Sequence, residues 1–170
     1  MGGIYQVIKS KAALSCEELG YSKYVLFGVK YNDRVIHTEV EPCDLKNETM
    51  MKAVDAMRLR GVKIITGKWL IEGLPQVVLF DLNSVAGYLD EWRAEFYNKT
   101  HISGPFTDKE FNDTILYGFA CAWFIGEWIH QYELVHELAP LTICHFHEWL
   151  SGVGLIMART RKVRSIDSIC

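Results

Sequence analysis

Two short runs in this sequence are apolar without a break, Tyr24-Val25-Leu26-Phe27 and Val77-Val78-Leu79-Phe80. A strand that is apolar at every position is one covered on both faces. Around these runs lie longer stretches whose apolar residues recur at helical spacing. Strand alternating with helix predicts an α/β layered fold with a largely parallel sheet and helices on its faces. The 170 residues amount to one domain. With 49% of them hydrophobic, a packed core is within reach at this length.

Ile4-Tyr5-Gln6-Val7-Ile8 opens a helix that continues to residue 19, where Gly20 stops it. Residues 24–27 are the first strand, and the more alternating residues 35–40 read as its neighbour. Residues 47–60 predict a second helix, with Asn47 as N-cap, Met50, Val54 and Met57 as one apolar stripe, and Gly61 past its end. Strands follow at 62–65 and 77–80, separated by a turn at Gly73-Leu74-Pro75. Thr107 then reads as an N-cap, with Glu110 as its capping-box partner and Phe106 and Phe111 at the staple positions. That helix is expected to reach residue 138. A strand at 141–146 and a helix at 148–161 complete the pattern. Residues 164–170 are expected to trail off where a parallel sheet would want another strand.

Charge and composition exclude several classes. The net charge of −3 leaves no electrostatic footprint for nucleic acid. The basic run Arg159, Arg161, Lys162 and Arg164 suits a helix C-terminus. Residues 115–129 form the longest apolar stretch and include Glu127; a membrane span needs roughly 20 apolar residues, so a buried helix and no membrane partner are expected. Glu127 is a candidate perturbed carboxylate on that helix, although one charged residue among apolar ones is usually just paired or at the helix edge. The five cysteines are odd in number and contain no Cys-x-x-Cys pair. The first residues lack the signature of a secretory leader, so a reduced, cytosolic compartment is expected.

Two loci carry possible chemistry. Gly2 and Gly3 stand at the N-terminus of the first helix, where free N–H groups and the helix dipole attract phosphate and glycine lets the backbone come close. The bland alternative is a flexible chain end. His145-x-His147 places two imidazoles on one side of a strand, followed by Glu148 and Trp149. No third metal ligand stands at sensible spacing, so no metal is expected. Two readings of this group stay open. It lies at the carboxyl end of a strand, where open α/β sheets bind ligands; equally, it ties strand to helix by hydrogen bonds. Most of the five tryptophans read as core rather than as a stacking platform for sugar.

Three segments, in order, resemble one family. Gly2-Gly3-Ile4-Tyr5-Gln6-Val7-Ile8-Lys9-Ser10-Lys11-Ala12 is similar to the glycine loop and first helix of the animal and fungal type of glycogen synthase. Gly67-Lys68-Trp69-Leu70-Ile71-Glu72-Gly73-Leu74-Pro75 with Val77-Val78-Leu79-Phe80-Asp81 resembles its next signature. His145-Phe146-His147-Glu148-Trp149-Leu150 with Gly152-Val153-Gly154-Leu155 resembles a third, and Phe111-Asn112-Asp113 and Trp123-Phe124 fall between. The resemblance covers about residues 2–163.

It implies a Rossmann-like sheet belonging to the N-terminal half of a two-Rossmann-domain (GT-B) glycosyltransferase. Such an enzyme is retaining and moves glucose from UDP-glucose to the non-reducing end of glycogen in α-1,4 linkage, with no cofactor and no required metal. Gly2 and Gly3 are carried over as the donor phosphate loop, and His147 and Glu148 as near-site or scaffold residues. Residues 1–170 are expected to be a single, incomplete N-terminal domain with the second domain absent. Met1 stands where the family has an apolar strand and a lysine, and from Val163 the sequence diverges before the family's nucleotide-contacting histidine and arginine. No catalytic residue is therefore expected on this chain, and the segment alone is expected to be inactive. The longer protein would have UDP-glucose and glycogen as substrates, with glycogenin and further copies of itself as partners. The competing reading is a non-catalytic module that binds glycogen or a synthase subunit.

Overall fold

The computed structural model describes residues 3–160 and, as backbone, 166–169. Helix α1 (Gly3–Leu19) ends as its sequence requires, because Gly20 takes φ +86, a left-handed value that suits glycine. Strand β1 (Val25–Val29) follows. The strand expected at 35–40 is instead mostly a short helix, α2 (Asp33–Glu39), with only β2 (Val40–Pro42) extended after it. Asn32 caps α2 by accepting a bond from the Arg34 amide at 2.8 Å, and Lys30 pairs with Asp33 at 2.7 Å. That local cap outweighs the strand preference of the β-branched residues Val35, Ile36 and Thr38. Helix α3 (Glu48–Leu59) carries its stripe of Met50, Val54 and Met57 into the core, with Asn47 accepting from the Met50 amide at 3.0 Å.

Strands β3 (Ile64–Trp69) and β4 (Gln76–Phe80) complete a sheet of order β1-β4-β3-β2. β1 runs parallel to β4, while β3 is antiparallel to both its neighbours. The expectation of a largely parallel sheet fails here for a simple reason. Only residues 70–75 join β3 to β4, and a parallel crossover needs a dozen or more. Gly73, at φ +89, turns the chain back as a hairpin. β1 lies at the sheet's edge and is only half-buried along its length, so full cover on both faces belongs to β4 and not to β1.

Beyond β4 come a 3-10 segment (Leu82–Tyr88), α4 (Leu89–Thr100) and α5 (Lys109–His136). The cap of α5 is Asp108 and not Thr107: its carboxylate accepts from the amides of Glu110 at 2.9 Å and Phe111 at 3.1 Å. The staple does not form either. Phe106 is 80% exposed and its ring lies 4.1 Å from the Arg93 guanidinium, which is also 5.3 Å from the Phe111 ring. β5 (Ile143–Phe146), α6 (Glu148–Thr160) and β6 (Ile166–Ile169) form a second, two-stranded parallel sheet. Residues expected to trail off thus include a strand, because the 13-residue α6 is long enough to bring the chain back beside β5. Of the closing basic residues, Arg161, Lys162 and Arg164 lie outside the described residues.

The core sits on one face of the larger sheet. Val78 and Phe80 of β4 meet Val54 and Met57 of α3, Ile115, Phe119 and Phe124 of α5, and Met157 of α6, all fully buried. α5 and α6 cross where Gly118 and Gly154 let the backbones touch; a Cβ on Gly118 would stand 2.6 Å from the Gly154 nitrogen. The opposite face of the sheet carries a much smaller cluster of Ile36, Val40 and Val77. Residues 115–129 lie within α5, and among the described residues no helix is long and apolar enough to cross a membrane.

Candidate functional site

The N-terminus of α1 presents Gly3, whose missing side chain faces open space: a Cβ there would meet nothing within 4 Å. The first turn carries no acidic residue, so nothing in it opposes an anion at the unpaired amides. Gly2 lies outside the described residues. Two contacts hold α1 in place. The Tyr5 ring meets Trp69 edge-on at 5.4 Å, and Gly73 packs on the Ala13 backbone so closely that a Cβ would stand 2.5 Å from the Ala13 Cα. Both contacts lie at the end of the sheet where β4 begins.

At the other locus β5 delivers His145 and His147 to the start of α6. Their rings stack at 4.4 Å with 20° between planes. His145 is exposed and His147 half-buried. Burial pushes the His147 pKa below its usual value; His145 and Lys11 push the same way, and Glu148 opposes them. His147 is thus biased toward the neutral imidazole, which offers one donor and one acceptor. Ser151 ties the turn by donating to the His147 carbonyl at 2.8 Å. Glu148 is exposed and begins α6 at φ +56. No group of three potential metal ligands exists among the described residues. The structure brings Lys11 of α1 close enough to His147 to act on its charge, but no hydrogen bond or ion pair among the described residues joins Gly3 to His147 or Glu148.

Several other residues singled out in the sequence do structural work. Gly67 lets β2 and β3 pair, since a Cβ would stand 2.5 Å from the Glu41 carbonyl oxygen. Asn112 accepts from Arg93 and donates to the Phe106 carbonyl at 2.9 Å, closing the loop before α5. Glu127 is paired: Arg60 reaches it at 2.8 Å and Gln131 at 3.0 Å. Burial alone would raise its pKa, but the bonds from Gln131 and Arg60 outweigh that and hold it below the usual carboxylate value. Trp92 and Trp128 are core, with the Trp128 indole donating to Thr49 at 3.0 Å, whereas Trp149 is 57% exposed.

Sequence reasoning passed over a cleft of about 560 Å³ where β1 and β4 finish, lined by Lys30, Arg58, Lys63 and Asp81 above Val62 and Ile64. The signal was present: Lys30 follows soon after one apolar run and Asp81 directly after the other, as polar residues leaving buried strands at their carboxyl ends.

A small mixed sheet with helices packed on it defines a mixed α/β domain. A glycogen synthase family model matches residues 1–169, and the chain belongs to that family. It is 40% identical over 163 residues to glycogen [starch] synthase of Neurospora crassa, 41% to the liver glycogen [starch] synthase of Rattus norvegicus and 42% to glycogen [starch] synthase of Caenorhabditis elegans. Each alignment covers 96% of this chain but only 22%, 22% and 24% of the relative, so the chain spans less than a quarter of their length.

Proposed function

We propose that the protein to which this segment belongs transfers glucose from UDP-glucose to the non-reducing end of glycogen, retaining configuration, in the cytoplasm. The observation that carries this reading is the family match across residues 1–169, at about 40% identity to relatives named as glycogen synthases. On this reading the segment is part of the N-terminal domain of a two-domain GT-B enzyme, with glycogenin and other copies of the chain as partners of the longer protein. Gly2 and Gly3 lie against the donor phosphates, and His147 and Glu148 border the site. Open space around Gly3 and an acid-free first turn support the phosphate role. Lys11 adds a positive charge near His147.

The 170 residues by themselves transfer no glucose. Such a reaction needs charge-stabilising groups on both walls of a cleft, and loss of one group alone costs on the order of a hundredfold or more in rate. Positioning two substrates between the walls is worth roughly 7–11 kcal/mol more. The test incubates labelled UDP-glucose and glycogen with this chain and, beside it, with one extended to the relatives' length. Label should enter glycogen with the longer chain only. In the longer chain Gly3→Val should raise the donor KM on the order of tenfold or more, the loss of about one charge-assisted hydrogen bond, without lowering Tm. Incorporation by the 170-residue chain, or a Gly3→Val enzyme with unchanged donor KM, contradicts the corresponding part.

A further inference from the structure

The cleft at the finishing ends of β1 and β4 has a surplus of hydrogen-bond donors. Lys63 Nζ has no partner among the described residues. Arg58 uses one N–H on Asp55 at 3.2 Å and another on the Ile64 carbonyl at 2.9 Å, out of the five that a guanidinium offers. Lys30 reaches Asp33 at 2.7 Å and Asp81 at 3.5 Å. The acceptors are already engaged: Asp81 takes the Asn83 amide on Oδ1 at 3.1 Å and faces Lys30 with Oδ2. Asp33 and Asp55 offset two of the cations, but both are more than half exposed, in water at the rim.

The walls are also set in advance. The Asp81 amide donates to the Lys63 carbonyl at 3.0 Å, the Lys63 amide to Ser84 Oγ at 2.9 Å, and the Lys30 amide to the Phe80 carbonyl at 2.9 Å. Val62 and Ile64 beneath are almost fully buried, and such an apolar floor strengthens electrostatic attraction above it. Open α/β sheets take their ligands beyond the carboxyl ends of parallel strands, which is where this cleft lies.

We propose that this cleft binds a small phosphorylated ligand, its phosphate held between Lys63, Arg58 and Lys30. A tetrahedral, acceptor-only dianion matches donors from three residues that line one cleft, and the planar fork of Arg58 suits two of its oxygens. This inference does not rest on the transferase reading. α1, which carries the glycine locus, is held at the opposite end of the larger sheet, against Trp69 and Gly73.

The experiment titrates the purified chain with inorganic phosphate and separately with glycerol 3-phosphate, with neutral glycerol as control, by calorimetry. Both anions should bind saturably and glycerol should not; the tighter of the two tells free anion from monoester. Lys63→Ala should weaken binding about tenfold, the loss of one charge-assisted bond. Lys63→Glu should abolish it, Lys63→Arg should retain it, and Lys52→Ala on the exposed side of α3 should leave it unchanged. Melting without ligand checks that each variant folds, and Lys63→Ala removes no described contact. The proposal is overturned if neither anion saturates, or if Lys63→Ala binds as tightly as Lys52→Ala.

Discussion

Glu127 shows how one charged residue survives on an otherwise apolar helix. Its side chain is only 10% exposed, yet Arg60, the C-cap of α3, and Gln131, one turn on, supply both carboxylate oxygens with donors. Because its pKa is held below the usual value, the pair stabilises the fold above the ordinary carboxylate pKa of about 4.3 and loses that contribution as pH falls through the lower, folded value. Arg60 is about half exposed, so the contribution is modest, about 1 kcal/mol or less. Arg60→Ala should therefore lower Tm at neutral pH, and its gap from the parent should close as pH is taken well below 4.3. A gap independent of pH would show that Arg60 acts through packing alone. That Glu127 was paired could be read from a lone acid among apolar neighbours; that Arg60 was the partner could not, since 67 residues separate them.

At the scale of elements, glycine decides two opposite outcomes on one helix. At Gly118 a side chain would strike the backbone of α6, which cannot move aside as a flexible side chain would. At Gly126, also within α5, a Cβ meets nothing within 4 Å. Gly118→Val should cost about 3 kcal/mol or more in denaturant unfolding, while Gly126→Ala should gain roughly 0.5–1 kcal/mol from helix preference. Equal effects at the two sites would mean that the α5–α6 crossing is looser than described. Elements whose local signals agreed were legible in the sequence: α1 with Gly20, α3 with Asn47 and Gly61, and the long apolar run of α5. Where signals competed, the reading failed. Asn32 was overlooked behind β-branched residues, and Asp108 behind a Thr–Glu box. Strand direction was legible only from loop length, which the turn at Gly73 should have made decisive. Of the candidate site, the histidine pair was visible as a spacing, but the cleft joins residues from 30 to 81, a juxtaposition that only the sheet creates.

At the scale of the whole molecule, the imbalance between the sheet's two faces has a cost. Among the described residues no strand pairs with the outer edge of β1, and Leu26 lies on the thinly covered face. Apolar, half-buried edge strands recruit other chains. The 170-residue chain should therefore self-associate, its weight-average mass in sedimentation rising with concentration, and Leu26→Lys should suppress the rise. A mass that stays at one protomer over the whole concentration range would count against this account.

The 28-residue α5 touches α3, α4, α6 and the 3-10 segment, and its aromatic residues reach the sheet through Phe27 and Phe80. Such a hub leaves few ways to open the protein in parts. Fraying is expected first in elements that touch α5 little, such as α1 and α2, whereas lifting α5 exposes the core of its neighbours at once. Cooperativity is thus concentrated in one segment, and that segment is built almost entirely from local, helical contacts. The chain can form its organising element early, and what the element organises must then wait for β1 and β4 to find each other across about fifty residues of intervening sequence.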